Sequence, residues 1–191
     1  MTSLIIIFLI TGIISGFMAG LLGVGGGIII VPISYFVLLF LDYSPDYAMH
    51  IAIASSLGVI CFTSISSIRS HIKLKNVNFI ILRTWVPGIV LGSIIGSYSA
   101  SIISGDILVN IFICLAFLIA LNMAFQKEPI IISADLPNSK FVNLIISSLI
   151  GFLSVLIGIG GGSFSVPTLT MFSKKIHEAV GTSATLGFFI A

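Results

Sequence analysis

The stretch Gly23-Val24-Gly25-Gly26-Gly27, running on to Val31-Pro32, lies inside a hydrophobic run. It occurs a second time as Gly158-Ile159-Gly160-Gly161-Gly162, running on to Val166-Pro167. At a constant offset of 135 residues, segments 16–32 and 151–167 are identical at nine of seventeen positions. An internal repeat of this kind takes precedence over any local reading. Glycine costs about 1 kcal/mol against alanine inside a helix. Clusters of it at matching places in two apolar segments predict broken membrane helices, and paired breaks are a sequence pointer to a transporter's binding site.

The rest of the chain agrees with a membrane setting. It is 58% hydrophobic and 7% charged, with a mean hydropathy of +1.27, where a soluble domain carries roughly 25% charged residues. No water-soluble fold of this length hides so much apolar surface, so the composition predicts an all-α polytopic membrane protein in a lipid bilayer. The net charge of +2 and the scattered basic residues exclude a nucleic-acid partner. Cys61 and Cys114 lie within apolar spans and read as small buried hydrophobes, not as a disulfide or a metal site. No cofactor or metal is expected. The apolar N-terminus lacks a basic leader region and an A-x-A cleavage site, which predicts a retained first helix and not a signal peptide.

About 20 apolar residues cross a bilayer as a helix. The apolar runs are 4–22, 28–41, 48–68, 79–103, 107–125, 141–157, 163–172 and 179 to the end. Runs 28–41 and 163–172 are short and each directly follows a glycine hinge. They read either as short tilted spans or as return arms of re-entrant hairpins.

Lys and Arg near span ends set orientation. Arg69-Ser70-His71-Ile72-Lys73-Leu74-Lys75 is the clearest basic loop and is placed in the cytoplasm. Asp42-Tyr43-Ser44-Pro45-Asp46 and the loop with Asp106 then fall outside, the 126–140 loop with Lys127 and Lys140 inside, and the N-terminus outside. The loop after the first hinge arm is acidic and external, whereas Ser173-Lys174-Lys175 after the second is basic and internal. Equivalent loops on opposite faces predict an inverted-topology repeat with two glycine-broken hairpins. Residues 1–125 form the first transmembrane repeat, 126–140 a cytoplasmic linker and 141–191 a second, incomplete repeat.

A further match extends the repeat. His50-Ile51-Ala52-Ile53-Ala54-Ser55-Ser56 aligns with His177-Glu178-Ala179-Val180-Gly181-Thr182-Ser183 at an offset of 127. The first half is therefore expected to carry eight extra residues in its connecting loop. The second half stops at Ala191, while the first continues through 79–103 and 107–125 without counterparts, so the chain reads as C-terminally truncated.

In these residues the sequence resembles the TauE/SafE family, the sulfite-exporter family of bacterial inner-membrane proteins. The resemblance rests on Gly16-Phe17 through Gly23-x-Gly25-Gly26-Gly27 to Val31-Pro32 and on Ala52-Ile53-Ala54-Ser55-Ser56. Pro87-Gly88-x-x-x-Gly92-x-x-x-Gly96 and the second hinge complete it, and it covers essentially the whole chain. It implies about eight helices in two inverted halves, one for each run of about 20 residues. It also implies export of sulfite, sulfoacetate or related organic and sulfur-containing anions from the bacterial cell. The alternatives are a non-transporting scaffold or channel-like protein, or an inactive truncated transporter. A membrane-embedded enzyme is disfavoured because the spans hold no paired carboxylates or clustered histidines.

The hinges are not a dinucleotide fingerprint: the sixth position of G-x-G-x-x-G is Ile28 in one copy and Ser163 in the other. Close helix packing explains Gly88, Gly92 and Gly96, spaced by four. Three consecutive glycines fit an unwound segment better, and such backbone is tolerated at membrane depth where it is buried or lines a cavity. A helix starting there presents backbone N–H groups and a partial positive charge, which binds anions without a cationic side chain. The candidate substrate-binding residues are therefore Gly25, Gly26, Gly27, Gly160, Gly161, Gly162 and Ser163. The paired hydroxyls Ser55, Ser56, Thr182 and Ser183 join them.

The remaining features have local readings. Pro32 and Pro167 shape the arms, while Ser64, Ser66 and Ser67 bond back to their own helix. His50 and His177 anchor helix ends, with proton coupling as the sharper alternative. Arg83, with Trp85 beside it, reads as an interfacial anchor or as a cation drawing anions to the cytoplasmic mouth. The oligomeric state has no signature in the sequence.

Overall fold

A computed structural model describes residues 2–22, 26–125, 131–133 and 135–191. They form eight helices: α1 (Thr2–Leu22), α2 (Gly27–Phe40), α3 (Pro45–Lys73), α4 (Phe79–Ile102), α5 (Gly105–Phe125), α6 (Lys140–Leu156), α7 (Gly162–Met171) and α8 (Ile176–Ile190). No strand occurs among the described residues. Three segments, Pro45–Lys73, Phe79–Ile102 and Gly105–Asn122, are long and apolar enough to cross a membrane. Large apolar side chains such as Phe40, Phe62 and Ile80 point outward. Outward apolar side chains and helices that satisfy their own backbone are what a lipid solvent requires.

Helix ends follow local chemistry. Pro45 starts α3 at a position where its missing N–H costs nothing, with Asp46 in the first turn and His71 and Lys73 in the last. Asn78 caps α4, its Oδ1 accepting from the N–H groups of Ile80 and Ile81. The arms α2 and α7 terminate in the same way. Asp42 and Ser173 adopt left-handed φ values of 61° and 59°. The N–H of Tyr43 reaches the Leu38 carbonyl, and that of Lys174 reaches the Leu169 carbonyl, both at 3.1 Å. This bond from the third residue past the helix back to its last turn satisfies a carbonyl that would otherwise lack a partner.

This matched ending corrects one sequence expectation. The connecting loops between α2 and α3 and between α7 and α8 are equally long, 41–44 and 172–175. The eight extra residues of the first half lie in helices instead. The arm α2 has 14 residues against 10 in α7, and His50 is the sixth residue of α3 whereas His177 is the second of α8. Each insertion is four residues, close to the 3.6 of one turn, so helices lengthen without rotating their packed faces far.

The second hairpin returns to the end at which it enters. Ile132 N–H donates to the Met171 carbonyl at 2.9 Å, and the Lys174 ammonium pairs with Asp135 at 2.9 Å. The end of α7 thus lies against the linker that leads into α6. Ten residues make α7 about 15 Å long, half the hydrocarbon thickness.

Two apolar clusters hold the bundle. One joins α2, α3, α5 and the second hinge through Val31, Met49, Ile53, Leu108 and Ile157. The other joins α4, α6, α7 and α8 through Trp85, Ile89, Ile150, Leu169 and Leu186. The most extensive helix pair is α4 with α6. A Cβ on Gly92 would strike the Ser148 carbonyl, and one on Gly96 would come within 2.8 Å of the Phe152 carbonyl. Ser148 Oγ donates to the Gly88 carbonyl across the gap at 3.0 Å. Without water to expel, membrane helices gain from such close approach and from interhelical hydrogen bonds.

Trp85 departs from the interfacial role expected of it. It is fully buried, and its indole N–H donates to Asn143 Oδ1 at 3.1 Å. Asn143 is itself held by the Ser139 carbonyl at 3.0 Å. A buried indole needs one acceptor, and α6 supplies it, so Trp85 locks the α4–α6 pair. Arg83 is exposed.

Candidate functional site

The second hinge occupies 157–161. Gly158 and Gly161 have φ values of +67° and +55°, a region L-residues with a side chain adopt at a cost and glycine does not. Gly161 is also the residue from which α7 starts, and that start has no side-chain cap. The first hinge is described from Gly26 onward, and Gly25 lies outside the described residues. Gly26 precedes α2, again without a side-chain cap. Its carbonyl accepts from Ser15 Oγ at 2.9 Å, which ties α1 to the hinge.

The hinges touch. A Cβ on Gly27 would run into the Gly158 carbonyl and come within 3.0 Å of Ile159 Cα. At the same point Ser56 Oγ donates to the Gly158 carbonyl at 2.7 Å. The α2 start, the middle of α3 and the second hinge therefore meet with only glycine thickness between them.

Beside this crossing lies a cavity of about 340 Å³. Gly26 of the first hinge and Gly160 and Gly162 of the second all line it. Helix α1 contributes Gly12, Ser15 and Gly16, and α8 contributes Val180, Ala184 and Gly187. The wall from α3 is polar toward one end, where Thr63, Ser64, Ser67 and His71 follow Ile60 at helical spacing. Among the described residues no Asp, Glu, Lys or Arg lines it, so the field inside comes from backbone dipoles, hydroxyls and the His71 ring. At the α7 start the N–H groups of Gly162, Phe164 and Ser165 donate to the carbonyls of Gly160 and Gly161, and the aligned peptide dipoles of the two helix starts favour negative charge.

The candidates from sequence divide accordingly. Gly26, Gly160 and Gly162 reach the cavity. Gly27 makes the hinge crossing, and Gly161 packs on Ile190. Ser163 is buried in the first turn of α7, and Ser55 is exposed. Ser56 holds the second hinge. Thr182 Oγ1 accepts from the Asn78 N–H at 3.0 Å, so it secures the entry of α4. Ser183 is buried, and its hydroxyl has no partner among the described residues.

The two histidines differ. His50 Nδ1 lies 2.7 Å from the Asp46 carbonyl, and Nε2 lies 3.0 Å and 3.1 Å from those of Ala100 and Ile103. It joins the start of α3 to the end of α4. His177 is exposed, and its neighbour Glu178 accepts from Asn78 Nδ2 at 2.6 Å instead.

Sequence reasoning passed over the α3 wall. Thr63 and Ser64 do bond back to their own helix, Thr63 to the Val59 carbonyl at 3.0 Å and Ser64 to the Cys61 carbonyl at 3.0 Å. They face the cavity nonetheless. His71 Nδ1 is buried with no hydrogen-bond partner among the described residues. The signal was a 60, 64, 67, 71 spacing on one helix face.

Comparison with known proteins agrees with this architecture. The family profile described as sulfite exporter TauE/SafE matches residues 8–191. A probable membrane transporter protein of Haemophilus influenzae is 34% identical over 192 residues, covering 100% of this chain and 72% of its own length. One of Bacillus subtilis is 32% identical over 203 residues, covering 96% of this chain and 74% of its own. One of Methanocaldococcus jannaschii is 36% identical over 188 residues, covering 93% and 66%. No solved structure matches significantly. A multi-pass helical membrane protein whose two glycine-broken segments meet at one cavity, matched by this profile over nearly its whole length, belongs to the sulfite exporter TauE/SafE family of membrane transporters.

Proposed function

We propose that this transporter carries small anions and binds them at the hinge end of the cavity, beside Gly26, Gly160 and Gly162. The observation that carries the reading is that both glycine hinges line one space. The dipoles of two helix starts that carry no side-chain cap supply positive potential there, and the uncharged hydroxyl and apolar walls make the site selective for charge and size. Ser67 offers a hydroxyl donor along the exit, where Thr63 and Ser64 already donate to carbonyls of their own helix. Sulfite, sulfoacetate and related anions are the substrates.

Transport proceeds by alternating access between two inverted repeats. That plan is supported by the placement of equivalent elements: α8 starts beside the loop where α3 ends, with Asn78 bonded to Glu178 and Thr182. The 74–78 loop and the start of α8 face the cytoplasm, the 41–44 loop and the N-terminus face outside, and the host membrane is the bacterial inner membrane.

The test is flux of sulfite, sulfoacetate and acetate into proteoliposomes, for the native chain and for Ala184→Leu, which enlarges a side chain in the cavity wall. Saturable flux reduced at least tenfold by the substitution is expected. Absence of flux for all three anions, or full flux in the variant, overturns the assignment.

A further inference from the structure

Eleven residues of α3 separate the hinge end of the cavity from its far end. Ile60 packs on Gly160 of the second hinge. His71, also in the lining, stands about 16 Å further along the helix at about 1.5 Å per residue. A small anion seated against the hinges therefore leaves His71 untouched. This end of α3 is anchored: the Asn76 N–H donates to the His71 carbonyl at 3.0 Å, and the Asn76 backbone packs on Gly181 of α8. His71 is the one titratable side chain among the described residues of the lining, and its Nδ1 is buried with no hydrogen-bond partner among the described residues. The neighbouring charges do not fill that gap. Arg69 and Lys73 of α3, Lys75 of the next loop, Lys140 of α6 and His177 of α8 are exposed. Glu178 of α8 accepts from Asn78. Asp106 of α5 lies toward the other end of α3, where Gly105 packs on Asp46, and α1 has no titratable residue.

We propose that Ser67 and His71 form a second anion position, away from the hinges, and that an anion bound there draws a proton from water onto the His71 ring. The two residues are four apart, on one helix face, and both line the cavity. The serine hydroxyl is a neutral donor, and the imidazolium adds two N–H donors and a full positive charge. An opposite charge within about 4–6 Å favours the charged form of a titratable group, and the anion is that charge in a wall that holds no other. Coupling is reciprocal: protonation tightens anion binding by the same factor by which the anion raises proton affinity. The two positions then differ in kind. Backbone dipoles at the hinges hold an anion at any pH, whereas the Ser67 and His71 position fills at low pH and empties as the ring loses its proton. This inference rests on the anion reading and adds proton uptake to it, at a residue distinct from the repeat pair His50 and His177.

The probe is sulfoacetate, titrated into the 191-residue chain in lipid nanodiscs at about pH 5.5 and about pH 8.5, on either side of the ordinary histidine value. Its carboxylate and sulfonate stay ionised throughout, so a change with pH belongs to the protein. Two saturable equivalents are expected at the lower pH, the second weakened at least tenfold at the higher. His71→Gln should keep the first equivalent and lose the second at both values, while His177→Gln behaves as the native chain. A second readout uses the native chain with carbon-13-labelled histidine. Of the three histidines, His50 and His177 are assigned by their own glutamine variants, which leaves the third signal to His71. Sulfoacetate should raise the proton affinity of His71 at least tenfold and leave the other two unchanged, so the proposal is tested even if His71→Gln fails to fold. A single equivalent at both pH values, a second equivalent indifferent to pH or retained in His71→Gln, or a His71 titration unmoved by sulfoacetate overturns the proposal and leaves the hinge reading standing. No saturable binding at either pH overturns both.

Discussion

The hydroxyl of Ser56 donates to the carbonyl of Gly158 at 2.7 Å, so a serine in the middle of α3 holds the left-handed turn of a hinge 102 residues away in sequence. Ser56 is fully buried. Removing the donor leaves the carbonyl without that bond in a site closed to water, which costs about 1–3 kcal/mol. Ser56→Ala should lower the unfolding free energy in detergent by that amount, and Ser56→Thr, which keeps the hydroxyl, should lose less. Equal stability of Ser56→Ala and the native chain would remove the bond from any role in holding the hinge.

Gly158 is required for its backbone geometry. With φ at +67° and a Cβ only 3.0 Å from Val31 Cγ2, Gly158→Ala carries strain of about 1–3 kcal/mol. Flux should fall with stability, because the same turn brings Gly160 to the cavity. The measurement is a thermal melt of the purified variant paired with its initial flux rate.

The glycines of α4 and of α1 should respond oppositely. At Gly92 a methyl group meets the Ser148 backbone, which cannot move aside as a side-chain tip can, so Gly92→Ala should cost about 1–3 kcal/mol by overpacking. At Gly12 the methyl enters open space, and Gly12→Ala should leave the isolated chain's stability within about 0.5 kcal/mol or raise it slightly. Comparing the two melts checks both statements at once.

Trp85 is the sole tryptophan, so fluorescence reports on it directly. Its emission should be blue-shifted and resist quenching by brominated lipid, as a buried indole bonded to Asn143 requires. Asn143→Leu should destabilise more than Trp85→Phe. The leucine strands the indole N–H and removes the donor to the Ser139 carbonyl, whereas the phenylalanine frees one acceptor. Strong quenching in the native chain would return Trp85 to the lipid interface.

Much of the molecule was legible in one dimension. Eight apolar runs became eight helices with ends shifted by a few residues, and the helix start after Gly161 falls where the glycine run ends. These features are local: hydrophobic length and glycine's cost in a helix act within a few residues of chain. The hinge repeat was equally visible, because identities at a fixed offset need no structure to detect.

What tertiary structure alone decided is which face of each helix turns inward. In lipid these helices are apolar nearly all round, so the amphipathic stripe that marks the inner face of a soluble helix is missing. Ser56 and Thr182, equally eligible as substrate ligands by sequence, proved to be bonded to the Gly158 carbonyl and the Asn78 N–H. Ser64, Ser67 and His71, passed over, proved to line the cavity. The extra residues assigned to a loop went into α2 and α3, and Trp85 turned from the interface into the α4–α6 seam. Inward faces follow from close backbone contacts between segments far apart in sequence, at Gly27 on Gly158 and Gly92 on Ser148, and those pairings are a property of the packed bundle.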